Sequence, residues 1–243
     1  MRIVELSQTV WRIGFRPSPW QWSDWRWAGA DGRFNGRWDP LDQGLYRTIY
    51  AGDSLLACLL EVLAPFRPDP RLVTGLEEIV EDDEDHREYP TVAPGALDLD
   101  SWLQNRVAGS ATLSGRFVDI TAATTIAALH PLFYAKALAY NLEDFDASAL
   151  KNAKPRVLTQ EVSQYLWARR NPDGTDLCDG IQFRSRHGDD LLLWAVFERE
   201  TDGLISRRIS SAAPHVFDER TPELMTAMML LGLVPSRTTT SES

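Results

Sequence analysis

Gly44-Leu-Tyr-Arg-Thr-Ile-Tyr-Ala51, followed two residues later by Ser54-Leu-Leu-Ala-Cys-Leu-Leu-Glu-Val-Leu-Ala64, decides the fold class. The first run alternates and is rich in aromatic and β-branched residues, so it reads as a strand. Asp53 stands where an N-cap would stand and Pro65 stops the second run, which therefore reads as a helix. Further along, Arg116-Phe-Val-Asp-Ile-Thr121 alternates as a strand and precedes a helical stretch around Ala122 to Leu129. Thr159 to Ala168 places Val162, Tyr165 and Leu166 on one face and reads as an amphipathic helix. Asn171-Pro-Asp-Gly174 is a turn. Gly180–Ser185 and Leu191–Phe197 are strands, joined as a hairpin by the turn Arg186 to Asp190, and a last helix spans Pro222 to Leu231. Strands and helices in this mixture give a single α+β domain over residues 1–234.

The remaining stretches are less patterned. Met1 to Asn35 is rich in Trp, Arg, Pro and Gly and reads as loop with short strand pieces. From about Asp69 to Gly115 the pattern loosens; Leu72, Val73 and Leu76 fit a strand or a short helix. An acidic run from Glu77 to Glu88, with eight acids and one arginine, reads as part of a solvated surface insertion over about 69–115. The tail 235–243, rich in Ser and Thr, is expected to be disordered.

Composition excludes several function classes. The chain has 243 residues, of which 44% are hydrophobic and 25% charged, an ordinary globular make-up. No run approaches the roughly 20 apolar residues of a membrane-spanning helix, and the first residues lack the pattern of a secretory signal. A cytoplasmic protein is expected. Two cysteines, Cys58 and Cys178, cannot build a disulfide framework or a cysteine metal cluster. The net charge of −10 argues against nonspecific nucleic-acid binding. It does not exclude a local basic cleft, because arginine dominates and only Lys136, Lys151 and Lys154 are lysines.

Some residues stand out. Glu61 is a lone carboxylate in a helix that is apolar nearly all round. Such a group is either paired in a buried salt bridge with an arginine or faces a cleft. Gly32-Arg-Phe-Asn-Gly-Arg-Trp-Asp-Pro40 offers Arg33 and Arg37 in a glycine-punctuated loop that suits an anion, without the spacing of a phosphate-binding loop or dinucleotide fingerprint. Trp20, Trp22, Trp25 and Trp27 form a dense aromatic cluster, read as packing of an N-terminal lobe with a stacking platform as the alternative. His86, His130, His187 and His215 show no metal-ligand spacing, and no metal is expected.

Arg37, Glu61 and Ser185 then fall into one pattern. Gly36-Arg-Trp-Asp-Pro40, the strand ending at Tyr50, the helix carrying Glu61, Arg116 to Thr121, Thr159-Gln160 and Asp179-Gly-Ile-Gln-Phe-Arg-Ser-Arg186 occur in order. This set resembles the RES-domain family, named for an arginine, a glutamate and a serine that meet in one cleft. The eleven-residue step from Tyr50 to Glu61 matches the family, and the resemblance spans about Trp11 to Phe197. It implies a fold similar to ADP-ribosyltransferases of the diphtheria-toxin type, with mixed β-sheets and flanking helices. It also implies a toxin, paired with an Xre-like antitoxin, that degrades NAD+ by hydrolysis or phosphorolysis of its nicotinamide–ribose bond. NAD+ is then a substrate, and no cofactor, membrane or direct nucleic-acid partner is implied; a homo-oligomer stays open. In this reading Glu61 stabilises positive charge on the ribose, Arg37 (or Arg33) holds the pyrophosphate, Tyr50 stacks on nicotinamide and Ser185 hydrogen-bonds ribose or amide. The alternatives are a protein ADP-ribosyltransferase and a non-catalytic module that binds NAD+ or a partner.

Overall fold

The computed structural model describes residues 1–69, 94–152 and 154–236. The longest ladder joins strand β1 (Ile3–Phe15) to β4 (Arg106–Asp119), antiparallel, in register from Ile3 opposite Val118 to Phe15 opposite Arg106. Neither strand's extent is evident in the sequence. In β1 only Val10 and Ile13 are buried, and Glu5, Ser7, Gln8 and Thr9 are exposed, so the alternation that marks a half-buried strand is weak. The expected loop over residues 1–35 is thus corrected to a 13-residue strand followed by irregular chain. The expected insertion over 69–115 is corrected too: residues 96–98 form β3, 99–104 form α2, and 106–115 are the greater part of β4. The segment 72–76 and the acidic run 77–88 lie outside the described residues.

Strand β2 (Thr48–Gly52) leads into α1 (Leu55–Leu63). The N-cap is Ser54, whose hydroxyl accepts from Ala57 N at 3.1 Å, one residue after the expected Asp53. Asp53 instead ties the junction to β6 (Gly188–Phe197), its carboxylate accepting from Leu192 N at 3.1 Å. After β4 come α3 (Ala123–Ala139), which continues through Pro131 past the expected end, then α4 (Ala147–Lys151) and α5 (Arg156–Ala168). The hairpin β5 (Gly180–Ser185) and β6 forms as its alternation implies, and β7 (Ile209–His215), α6 (Pro222–Leu231) and β8 (Val234–Ser236) complete the chain. Pro235 and Ser236, expected in a disordered tail, pair in β8 with β3.

The main sheet has the order β1-β2-β6-β5-β4-β7, and the further β1–β4 pairing closes β1, β2, β6, β5 and β4 into a ring. Alternation splits the apolar residues between its two faces. Trp194 and Val196 join Val10, Trp20, Trp22, Ile49, Leu113 and Phe117 in one cluster. Leu193, Ala195 and Phe197 join the larger cluster, which receives α1, α3, α5 and α6. Gly180 is required by close approach: a Cβ there would lie 2.0 Å from Ala195 O on the neighbouring strand. No helix among the described residues is long and apolar enough to cross a membrane.

α1 anchors the larger cluster. Leu59, with no exposed surface, is among its best-packed side chains. Leu59→Ala should lower unfolding free energy by about 2–5 kcal/mol, read as a drop in the denaturation midpoint at constant slope.

Candidate active site

Residues 28–47 form neither helix nor strand, yet Arg37 is placed within them by four residues of α5. Arg156 Nη1 donates to Asn35 O, and Gln160 Nε2 donates to Gly36 O at 3.1 Å. Ser163 Oγ donates to Trp38 O at 2.6 Å, and Gln164 Oε1 accepts from Leu41 N and Asp42 N at 3.0 Å each. Positions 156, 160, 163 and 164 share one helical face, so the side of α5 facing the loop is polar by design of its spacing.

The loop is closed from the other side by Tyr50 and Asp39. The Tyr50 hydroxyl accepts from Trp38 N at 2.8 Å and donates to Asp39 Oδ1 at 3.2 Å, and Asp39 Oδ2 accepts from Gly36 N. Burial raises the Asp39 carboxyl above its ordinary value, although these donors and Arg12 oppose the shift. Burial, reinforced by Asp39, pushes the Tyr50 hydroxyl well up, so it stays protonated. Arg12 reaches in from β1, donating through Nη1 to Tyr50 O at 2.6 Å and through Nε to Pro19 O at 2.5 Å.

Glu61 is one of three α1 residues, with Leu56 and Val62, that keep part of their surface. Its Oε1 accepts at 2.6 Å from the hydroxyl of Ser185, which is 1% exposed at the end of β5. The Ser185 oxygen in turn accepts from His187 N at 2.9 Å. Among the described residues Glu61 has no ion pair and its Oε2 has no hydrogen-bond donor. Of the two situations open for this carboxylate, the described residues therefore supply a hydrogen bond from serine and no salt bridge.

Arg37 and His187 feel its charge without forming an ion pair with it. Burial lowers Arg37 from its ordinary value; Glu61 and Tyr50 act in the opposite sense, while Arg186 and Arg156 lower it further by like charge. The His187 imidazole is lowered first by burial and then by Arg186, Arg67 and Arg37, against Glu61. Arg37 and His187 thus each feel Glu61 and each other; Arg186 acts on both, Arg156 on Arg37 and Arg67 on His187. No carboxylate is ion-paired to any of these four arginines among the described residues. Arg37 is held in place by Nη2 donating to Lys151 O at 3.2 Å, and Lys151 Nζ pairs with Asp189 at the start of β6.

The structure therefore brings Glu61 and Ser185 into direct contact and Arg37 into their electrostatic field, with Tyr50 beside Arg37. Arg33 is elsewhere: Nε and Nη2 bind Asp31 Oδ2 at 2.9 and 2.7 Å, and Nη1 donates to Leu41 O. Sequence reading missed Arg67, Arg156, Arg186 and His187 as members of the cluster. For Arg186 and His187 a signal exists, since only these two residues separate β5 from β6 and a hairpin this tight must place both beside Ser185. Cys58 and Cys178 are free and buried, and burial pushes both thiols up to about 12, so neither is a nucleophile. No group of three or more His, Cys, Asp or Glu side chains among the described residues is placed to hold a metal ion.

An α+β domain that bonds a helix glutamate to a serine at a strand end, with a loop arginine acting on that glutamate, has the features of one class of protein. This chain belongs to the RES-domain family, whose model matches residues 9–215. Among solved structures it is similar to the M. tuberculosis MbcT–MbcA toxin–antitoxin complex. The identity is 16%, coverage is 95% of this chain and 92% of that one, and the TM-score is 0.46. No protein of curated function matches it.

Two outcomes test this geometry. Tyr50→Phe removes the donor to Asp39 and the acceptor for Trp38 N, and should cost about 1–3 kcal/mol of stability in denaturant unfolding. The depressed His187 value means the folded state binds its proton less readily than the unfolded chain. Stability is then full above the ordinary histidine value of 6.5 and is lost as pH falls below it. His187→Gln should flatten that acid limb in urea midpoints measured between pH 7 and pH 5.

Proposed function

We propose that this protein is a toxin that degrades NAD+, breaking the bond between nicotinamide and ribose, and that an Xre-like antitoxin restrains it. Membership of the RES-domain family supports the toxin and antitoxin parts of the reading. The observation that carries the chemistry is Glu61. One carboxylate oxygen is pinned by Ser185, the other has no donor among the described residues, and Arg37, which feels its charge, has no ion pair among them.

The reaction follows from those groups. When the bond from C1′ to the pyridinium nitrogen breaks, its electron pair leaves with nicotinamide, which departs neutral. Positive charge then develops on the ribose, as in glycoside cleavage. A fixed carboxylate beside that carbon stabilises the charge, which is the role of Glu61; Ser185 sets its orientation through Oε1. An oxygen of water or of inorganic phosphate forms the new bond to C1′, and water sheds one proton to solvent. Arg37, with Arg156 and Arg186 near it, holds the pyrophosphate through charge-assisted hydrogen bonds. The Tyr50 ring walls the nicotinamide side while its hydroxyl keeps the Arg37 loop closed. His187, lowered from its ordinary value first by burial, brings a neutral imidazole at pH 7.

Purified protein incubated with NAD+, with and without phosphate, should release nicotinamide, and product masses should identify free or phosphorylated ADP-ribose. Glu61→Gln, which keeps the shape and the Ser185 contact, should lower turnover at least about 100-fold with unchanged circular dichroism. Full turnover by the folded Gln variant refutes the mechanism. Label found on a macromolecule instead of on free ADP-ribose would make the protein a transferase.

A further inference from the structure

A cavity of about 320 Å³ is lined by Trp27, Asp31, Arg33, Phe34, Asn35 and Gln160 among others. Neither Glu61, Ser185 nor His187 reaches it. Trp20 and Trp22 of the same run are buried, whereas Trp27 is 71% exposed, with the Arg26 guanidinium 5.3 Å from its ring centroid. Phe34 is backed by Trp25, their ring centroids 5.4 Å apart. The cavity therefore presents an exposed indole and a phenyl ring braced by Trp25.

The same residues connect the cavity to the cationic cluster. Gln160, in its lining, donates to Gly36 O, and Arg156, one turn earlier on α5, donates to Asn35 O and also acts on Arg37. From Glu61 the order is a carboxylate, then arginines, then an aromatic cavity with two amide side chains. We infer that the Trp27–Phe34 cavity receives the adenine end of a dinucleotide whose pyrophosphate lies on Arg37 and Arg156. This rests on the NAD+ reading above and extends it to the choice of dinucleotide over mononucleotide. Flat aromatic faces stack bases, and Asn and Gln amides match the adenine edge, so Asn35 and the free oxygen of Gln160 supply the polar contacts.

The test compares nicotinamide mononucleotide, which has the same scissile bond and no adenosine, with NAD+. In the full chain Trp27→Ala should lower the ratio of kcat/KM for NAD+ to that for the mononucleotide about tenfold, and Trp27→Phe should restore most of it. Calorimetric binding of ADP should weaken by a similar factor in Trp27→Ala. An unchanged ratio with unchanged ADP binding overturns the inference and leaves the NAD+ reading intact. If the wild type cleaves neither compound, the NAD+ reading falls. The ADP titration then decides alone: affinity that depends on Trp27 upholds the adenine site, and its absence overturns it.

Discussion

Irregular backbone that runs beside a core must still find partners for its amides and carbonyls, and here one helix face supplies them. α5 spends buried Gln160 and Ser163, together with Gln164 and Arg156, on the chain between Asn35 and Asp42. The loop is thereby held as firmly as a strand without being one, and Arg37 takes its position from that. Tyr50 and Asp39 meet the same demand from the sheet side. The two groups of contacts press the loop between β2 and α5. The arginine is thus carried by a rigid element although it lies in no regular secondary structure.

Charge is distributed with the opposite sign to what the totals suggest. The chain carries −10, yet Arg37 lies in the field of Arg156 and Arg186 as well as of Glu61, and Arg67 and Arg186 act on His187. Like charges held close destabilise a fold unless an anion joins them. The fold accepts that cost here, whereas the buried Asp179, 3% exposed, is paired with Arg208 and also bonds Arg116 N. Unneutralised charge on one wall and satisfied charge elsewhere is the pattern expected where a ligand completes the electrostatics.

Much of the fold was legible. The β2–α1 unit, the β5–β6 hairpin and α6 follow from short-range alternation, caps and stops, and the structure shifts their ends by only a few residues. What failed was long-range. β1 and the first half of β4 are strands because they pair with each other along their whole length, and a mostly exposed strand leaves little alternation to read. Glu61 was legible because a carboxylate in an apolar helix is anomalous wherever it points. Its bond to Ser185 joins residues 124 apart, and only the ordered motif set linked them. Arg67 and Arg156 carry no such anomaly; surface arginines look alike in sequence until the fold brings them together.

Gly36 shows how finely this arrangement is tuned. A Cβ there would lie 2.5 Å from the Tyr50 hydroxyl oxygen and 2.6 Å from Asp39 Oδ2, so the glycine is demanded by volume. The smallest possible side chain would press on the Tyr50 hydroxyl and the Asp39 carboxylate at once. The backbone that carries Arg37 thus depends on a residue with no side chain immediately before it, so the position of the arginine is set by an empty volume as much as by any bond.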